Sequence, residues 1–287
     1  MEKFSYTFII PHHNSPELLN RCLDSIPQRE DIQIIVVDDN RQEDKKPQVN
    51  RQDVQLIYID AHHTKGAGHA RNVGLEYANG KCLLFADCDD YYKQGFIDIL
   101  DEYRNKEIDV LYFNFEHRDG RTNELLKDLF WKTYISQYDG SPAATDLLKF
   151  RQNVPWTKMV SRSFIRKYQI QFEEVPNGND IFFSMLVGYF SENIEVEKRE
   201  IYVYLKNENS ILTSKLSNQG RLCKLTHRIK QNQFYCYVGH KEWSTPVFRS
   251  IIGFLIKSRF TLLIPLIKNL KQKKEWIYEI EKRFAKS

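Results

Sequence analysis

Cys82-Leu83-Leu84-Phe85-Ala86-Asp87-Cys88-Asp89-Asp90 is an apolar run that stops on acids. A continuous apolar stretch of this length reads as a strand covered on both faces, here delivering carboxylates at its carboxyl edge. In open α/β sheets the crevice beyond the strand ends is where ligands sit. Ile34-Ile35-Val36-Val37-Asp38-Asp39 repeats the pattern earlier in the chain. Gathered carboxylates repel one another, so they need a hard cation or hydrogen-bond donors to hold them. Two strands ending this way predict one site for a divalent metal and an anionic or donor-rich ligand. Either pair alone is equally well a turn or a helix cap.

Around these two strands, strand and helix alternate. Phe4 to Ile10 reads as a first strand stopped by Pro11. Ser15-Pro16-Glu17 then starts a helix, with Ser as N-cap and Pro in the first turn. Val54 to Ile59 is a third strand. A helix opens at Gly66-Ala67-Gly68, runs to about Ala78 and is closed by Asn79-Gly80, read as a left-handed cap. Phe96, Ile99, Leu100 and Tyr103 mark another helix, and Ile108 to Phe115 another strand. This order predicts a mostly parallel sheet with right-handed crossovers. After Phe115 the rhythm breaks. Glu116 to Thr122 reads as a hairpin tip turning at Asp119-Gly120, and Lys127 to Lys158 as irregular. Ile181 to Phe190 is a helix and Glu195 to Leu205 a strand. From Ser217 the chain reads as helical: Leu222 to Tyr237, Val247 to Arg259 and Leu262 to Phe284.

The chain has 287 residues, 41% hydrophobic and 13% aromatic, ample for a globular core. Its 42 basic and 38 acidic residues leave a net charge of +4, too balanced to imply nucleic-acid binding. The basic residues crowd toward the end: Arg249, Lys257, Arg259, Lys268, Lys271, Lys273 and Lys274 flank an apolar stripe. That pattern suits an interfacial helix on an anionic membrane, and it equally suits a helical hairpin with a solvated basic face. Charges interrupt the apolar segment, so it makes a poor membrane span. The five cysteines form no C-x-x-C pair, which argues against zinc and fits a reducing compartment. The chain enters its first strand directly, with no signal peptide, so a cytoplasmic location is expected. His12-His13 and His62-His63 are adjacent pairs whose side chains diverge, which is poor geometry for a metal.

Four motifs in order resemble the family 2 glycosyltransferases. They are Phe8-Ile9-Ile10-Pro11 with Leu23-Asp24-Ser25-Ile26; Ile34 to Asn40; Ala70-Arg71-Asn72-Val73-Gly74-Leu75; and Phe85-Ala86-Asp87-Cys88-Asp89-Asp90. The resemblance covers roughly the first 115 residues and resumes around Trp156 to Asp180. It implies a GT-A fold, an α/β architecture with a mostly parallel sheet flanked by helices and, here, a helical C-terminal extension. Residues 1–212 would be the catalytic domain, with a nucleotide-sugar-binding half at 1–115 and an acceptor half at 116–212. Residues 213–287 would be the extension.

The resemblance also implies roles. Pro11 with Asp38 or Asp39 would hold the donor's base, with His12 beside it. Arg71 would approach the base or the diphosphate, and Asp87 the ribose. Asp89 would coordinate Mg2+ or Mn2+ bridging the phosphates, leaving Asp90 to cap the next helix. Asp180 would be the base that accepts the acceptor hydroxyl's proton, giving inversion. Trp156 and Lys158 take the place of a W-x-K element near the acceptor face, where Trp156 either stacks on a sugar or is a core residue. The expected reaction moves a sugar, from a UDP-sugar, to a hydroxyl of a glycan or lipid-linked acceptor in surface-polysaccharide synthesis. Thr64, Cys88 and Asn179 depart from the family's pattern, Asn179 replacing the usual Glu. The rival readings are a nucleotidylyltransferase, for which Pro11-His12-His13-Asn14 lacks the glycine-rich basic loop, and a non-catalytic protein on the same fold, against which the retained acids speak.

Overall fold

The structure is a computed structural model, and it describes residues 4–13, 16–40, 46–60, 62, 65–207, 217–248 and 251–253. Two compact units divide the chain: residues 1–175 with 179–210, and residues 176–178 with 211–287.

The first unit is built on a mixed sheet. Among the described residues its eight strands are β1 (Phe4–His12), β2 (Ile32–Asp38), β3 (Val54–Tyr58), β4 (Gly80–Phe85), β5 (Tyr91–Tyr92), β6 (Val110–Asp119), β7 (Lys158–Ser161) and β8 (Ile194–Lys206), in the order β3-β2-β1-β4-β7-β6-β8-β5. The β3-β2-β1-β4 half is parallel throughout, as the alternating pattern requires. β7 inserts antiparallel between β4 and β6, and β6 runs parallel to β8. Helices cover both faces. α1 (Pro16–Ser25) and α3 (Phe96–Asp101) share a core with Phe8, Ile10, Ile34, Val36 and Leu84. α2 (Ala67–Tyr77), α5 (Pro142–Arg151), α6 (Arg162–Lys167) and α7 (Ile181–Phe190) lie over the other face with Ile9, Ile35, Val37, Leu83 and Phe85. The period-2 alternation of each strand thus feeds two cores, each fully buried aliphatic or aromatic side chain contributing roughly 1.5–3 kcal/mol.

Several expectations change. The segment read as irregular between Lys127 and Lys158 holds α4 (Phe130–Ser136) and α5, the latter capped by Ser141 Oγ accepting from Ala144 N. Asn79-Gly80 is not a left-handed cap: α2 ends on an extended Ala78, and Gly80 is the first residue of β4. A side chain at Gly80 would place its Cβ 2.6 Å from the Tyr6 backbone, so close approach to β1 is what requires glycine. The hairpin tip expected at Asp119-Gly120 is present: β6 runs on to Asp119, whose Oδ1 accepts from the amides of Arg121 and Thr122, and the chain returns antiparallel with Arg118 bridged to Leu125.

In the second unit, α8 (Asn218–Tyr237) starts on Ser217, whose Oγ accepts from Gly220 N, and beyond its end Trp243 stacks on His240. Among the described residues no helix is long and apolar enough to cross a membrane. The helix expected at Leu262 to Phe284, most of the one at Val247 to Arg259, and Thr64 lie outside the described residues.

Candidate active site

The parallel strands β1, β2 and β4 end side by side, so their carboxyl edges form one acidic rim. Register decides which acid faces where. His12 lies opposite Asp38 on the α1 side, and its Nδ1 meets Asp38 Oδ1 at 2.8 Å. Asn40 Nδ2 donates to the same oxygen at 2.6 Å. Both His12 and Asp38 are only 1% exposed, so this pair is a buried clasp between strand ends. His12 Nε2 has no hydrogen-bond partner among the described residues. Asp39, one residue on, faces the α2 side, where its Oδ2 accepts from the Gly66 amide at 2.7 Å at the opening of α2. Burial pushes the Asp39 carboxyl above the usual range, opposed by that amide. Its Oδ1 is buried without a partner among the described residues, an acceptor available to a donor such as a base N–H. Of the two acids considered for the base, Asp38 is engaged by His12 and Asn40, while Asp39 keeps one buried oxygen without a partner among the described residues. Pro11 is buried beside them at the end of β1.

Arg71, in the second turn of α2, is 5% exposed. Its Nη2 donates to Asp87 Oδ1 at 2.5 Å and its Nη1 to Asn179 Oδ1 at 2.8 Å, and it lies over the Phe172 ring, 5.4 Å from the centroid. Its buried Nε has no partner among the described residues. Arg71 therefore bridges the end of β4 to the residue before Asp180. This bridge needs a tight fit. A Cβ on Gly68 would lie 2.2 Å from Glu173 O and 2.9 Å from Asn179 Cβ, so glycine lets α2 and the segment before α7 touch. Asp180 sits at the N-terminus of α7, with no side-chain cap hydrogen bond. Burial pushes its carboxyl above the usual range, Arg71 and Lys158 pull it down, and Asp87 raises it.

The acids after β4 divide into distinct jobs. Asp90 is 1% exposed and structural: it accepts from Tyr202 Oη at 2.9 Å and from the Leu205 amide at 2.8 Å, binding the β4 end to β8 rather than capping α3. Asp89 is partly exposed, and its Oδ2 accepts from Asn207 Nδ2 at 2.8 Å. Burial and the neighbouring Asp87 push the Asp89 carboxyl up. A hard dication would relieve that repulsion, and oxygen donors suit Mg2+ or Mn2+. Among the described residues no three His, Cys, Asp or Glu gather closely enough to cage a metal. The residues would thus fit an ion held by Asp89 only if its remaining ligands came from outside the protein.

Trp156 and Lys158 are not on an open face. Trp156 is 3% exposed and stacks on Tyr202 and Tyr204, each 5.2 Å between centroids. Lys158 is 0% exposed. Neither faces a sugar where it stands: Trp156 is buried in the turn Pro155–Thr157 that leads into β7, and Lys158 is buried at the first residue of β7, inside the sheet. Sequence reasoning missed Tyr202, Asn207 and Asn179 as partners of the acidic rim. Only the alternation of β8 could have pointed to Tyr202. A cavity of about 350 Å³, lined by Asp109, Phe164, Lys167, Tyr168 and Phe190, lies at the opposite edge of the sheet, away from these acids.

The comparisons fit this geometry. Residues 7–169 match the profile of Glycosyl transferase family 2. EpsH of Bacillus subtilis is 22% identical over 220 residues, 74% of this chain and 64% of that protein. The glycosyltransferase GlyA of Streptococcus pneumoniae is 25% identical over 218 residues, 71% of this chain and 31% of that protein. The poly(ribitol-phosphate) beta-N-acetylglucosaminyltransferase TarS of Staphylococcus aureus is 26% identical over 230 residues, 75% of this chain and 37% of that protein. The chain thus spans less than two thirds of each of these relatives. A crystal structure of S. aureus TarS residues 1–349 in complex with UDP-GlcNAc superposes with a TM-score of 0.64 at 17% identity, over 95% of this chain and 81% of that one, which establishes a shared fold. With its profile match extending over more than half of the residues, the chain belongs to glycosyl transferase family 2.

Proposed function

We propose that the protein transfers a sugar from a nucleoside-diphosphate sugar, with UDP as the nucleotide, to a hydroxyl of a glycan or lipid-linked acceptor during assembly of a cell-surface polymer. The observation that carries this reading is the bridge from Asp87 through Arg71 to Asn179 and Asp180. It supports the reading because it ties the crevice-facing Asp87 to the residue before a carboxylate whose raised affinity for protons suits a general base. TarS, named for sugar transfer to poly(ribitol phosphate) and solved with UDP-GlcNAc, supports the substrate class.

In this reading Asp39 Oδ1 accepts the base N–H, and Arg71 and Asp87 order the ribose and diphosphate. Asp89 would hold Mg2+ or Mn2+, which would neutralise charge on the departing nucleoside diphosphate. Asp180 takes the acceptor hydroxyl's proton as that oxygen bonds to the anomeric carbon. The bond to the diphosphate oxygen breaks on the opposite face, with inversion. The same reading locates the protein at the inner face of the cell membrane, its basic C-terminal segment against anionic lipid. Flotation with vesicles containing or lacking anionic lipid tests that location.

The test of the reaction is a panel of nucleotide sugars with and without Mn2+, read by thermal shift and by donor hydrolysis. A metal-dependent shift and turnover with a uridine-diphosphate sugar is the expected result. Stabilisation by a dinucleotide alone would overturn the reading.

A further inference from the structure

α1 touches the acidic rim through one face. Arg21 and Ser25 are four residues apart, so they lie on the same side of the helix. Ser25 Oγ accepts from the Tyr92 amide at 3.0 Å. Arg21 Nη2 donates to the main-chain carbonyl of Asp89 at 2.6 Å, and its guanidinium lies over the Tyr91 ring, 5.4 Å from the centroid. The helix thus splints the chain from Asp89 to Tyr92. Arg21 is half-buried, and among the described residues no carboxylate pairs with it. Its buried Nε has no hydrogen-bond partner there either. The one hydrogen bond that the guanidinium makes is therefore to the Asp89 carbonyl, and a charged donor makes the stronger kind.

That carbonyl belongs to the peptide that follows Asp89 in the acidic turn. The Asp90 amide donates to the Asp87 carbonyl at 3.1 Å, closing a four-residue turn over Cys88 and Asp89. The peptide between Asp89 and Asp90 is planar, so fixing its carbonyl also fixes its amide. Arg21 holds the carbonyl toward α1, and the amide, on the other side of the same plane, is left facing Asp87. Other elements hold the rest of the turn. Asp87 is gripped by Arg71 of α2, and its amide donates to Tyr202 Oη at 3.1 Å. Asp90 is bound to β8. Asp89 has Asn207 on its carboxylate and Arg21 on its carbonyl. Since no cage of protein ligands forms among the described residues, the direction of this one carboxylate would set where a cation sits. A site of that kind depends on how rigidly its ligand is mounted.

We propose that Arg21 is a positioning residue for the donor end of the site: from α1 it locks the peptide after Asp89, so that the Asp89 carboxylate meets a cation and the diphosphate in one preset direction. The proposal rests on the reading of Asp89 as the residue that anchors the ion. Arg21 acts through the main chain, so its removal leaves every acid in place and changes how firmly one of them is aimed.

The experiment is calorimetry of UDP binding to the Arg21→Gln, Arg21→Lys and Arg51→Ala variants of the full chain, in Mn2+ and in EDTA. Arg51 Nη1 donates to the carbonyls of Leu23 and Ile26, so Arg51→Ala loosens the end of α1 without touching the turn. In Arg21→Gln, Mn2+-dependent UDP affinity falls by roughly 10-fold while affinity in EDTA stays within about twofold. Arg21→Lys restores most of the loss, because one charged donor suffices for one carbonyl. Arg51→Ala keeps the wild-type response to Mn2+. A wild-type response in Arg21→Gln overturns the proposal. So does an equal loss in Arg51→Ala, which would mean that α1 only seats the fold. Asp89→Ala tests the underlying reading: if that variant keeps the response to Mn2+, Asp89 is not the anchor. The mount is read separately, without metal or nucleotide, by the rate at which iodoacetamide alkylates the half-buried Cys88 within the turn. Peptide mass spectrometry distinguishes it from the other four cysteines. Arg21→Gln speeds that reaction and Arg51→Ala does not. An unchanged rate in Arg21→Gln overturns the proposal whatever becomes of Asp89, so the two failures are separable.

Discussion

Arg71 donates to Asp87 at 2.5 Å from a guanidinium that is 6% exposed to a carboxylate that is 33% exposed. One partner is inside the protein and the other faces the crevice. The pair is thus a mount for Asp87 as much as a salt bridge, and its second arm, to Asn179, carries the mount across to Asp180.

Arg71→Lys cannot make both contacts, because a single ammonium lacks the planar fork. Transfer efficiency is expected to fall by roughly 100-fold, with weaker UDP binding by calorimetry. Arg71→Ala also leaves Asn179 and Asp87 unpaired, which costs about 1–3 kcal/mol in denaturant unfolding. Wild-type kinetics in Arg71→Lys would show that the bridge has no part in catalysis.

Asp180→Asn removes the base and keeps the shape. Turnover is expected to drop by roughly 100- to 10,000-fold while UDP affinity is unchanged. Retained turnover would take the base role from Asp180.

Asp89→Ala should abolish metal-dependent UDP binding, and chelation of the wild-type protein should do the same reversibly. Since Asn207 is the other partner of Asp89, Asn207→Ala is expected to weaken the response to Mn2+ by about 10-fold or more. Equal UDP affinity with and without Mn2+ would argue for a metal-free mechanism.

Trp156→Ala empties the stack on Tyr202 and Tyr204 and should destabilise the protein by about 3–5 kcal/mol in chemical denaturation. Trp156→Phe should cost less and leave acceptor KM unchanged. A selective rise in acceptor KM in a stably folded Trp156→Phe would return this residue to the acceptor site.

Glu116 gives a pH test of stability. Burial would raise its carboxyl, but Lys93 and Arg118 outweigh that and hold it below its ordinary 4.5. A folded-state value lower than the unfolded one gives stability that is present above 4.5 and lost as the pH falls through the lowered value. Melting temperatures of wild type and Glu116→Gln should therefore differ most near neutrality and converge on acidification. A constant difference across that range would contradict the assignment.

The parallel half of the fold was legible because buried strands announce themselves as unbroken apolar runs, as Ile34 to Val37 and Cys82 to Ala86 do. β7 was not, since a strand of four residues that begins with a fully buried lysine has no such signature. The acids were legible as a group but not as individuals. Asp38 and Asp39 are neighbours whose side chains face opposite sides of the sheet, and only the pairing of His12 with Asp38 shows which one is engaged. Asp90 looked like a helix cap because its true partner, Tyr202, lies 112 residues away. Trp156 and Lys158 carried a motif's position without its exposure, and no spacing rule distinguishes a ring on a surface from one in a stack.

Gly68 has no functional group, yet the room its missing methyl leaves lets α2 reach Asn179. Alanine there would wedge the two segments apart and lengthen the reach from the leaving group to the proton acceptor. A saturation screen for transfer should therefore flag this silent position as sharply as the acids.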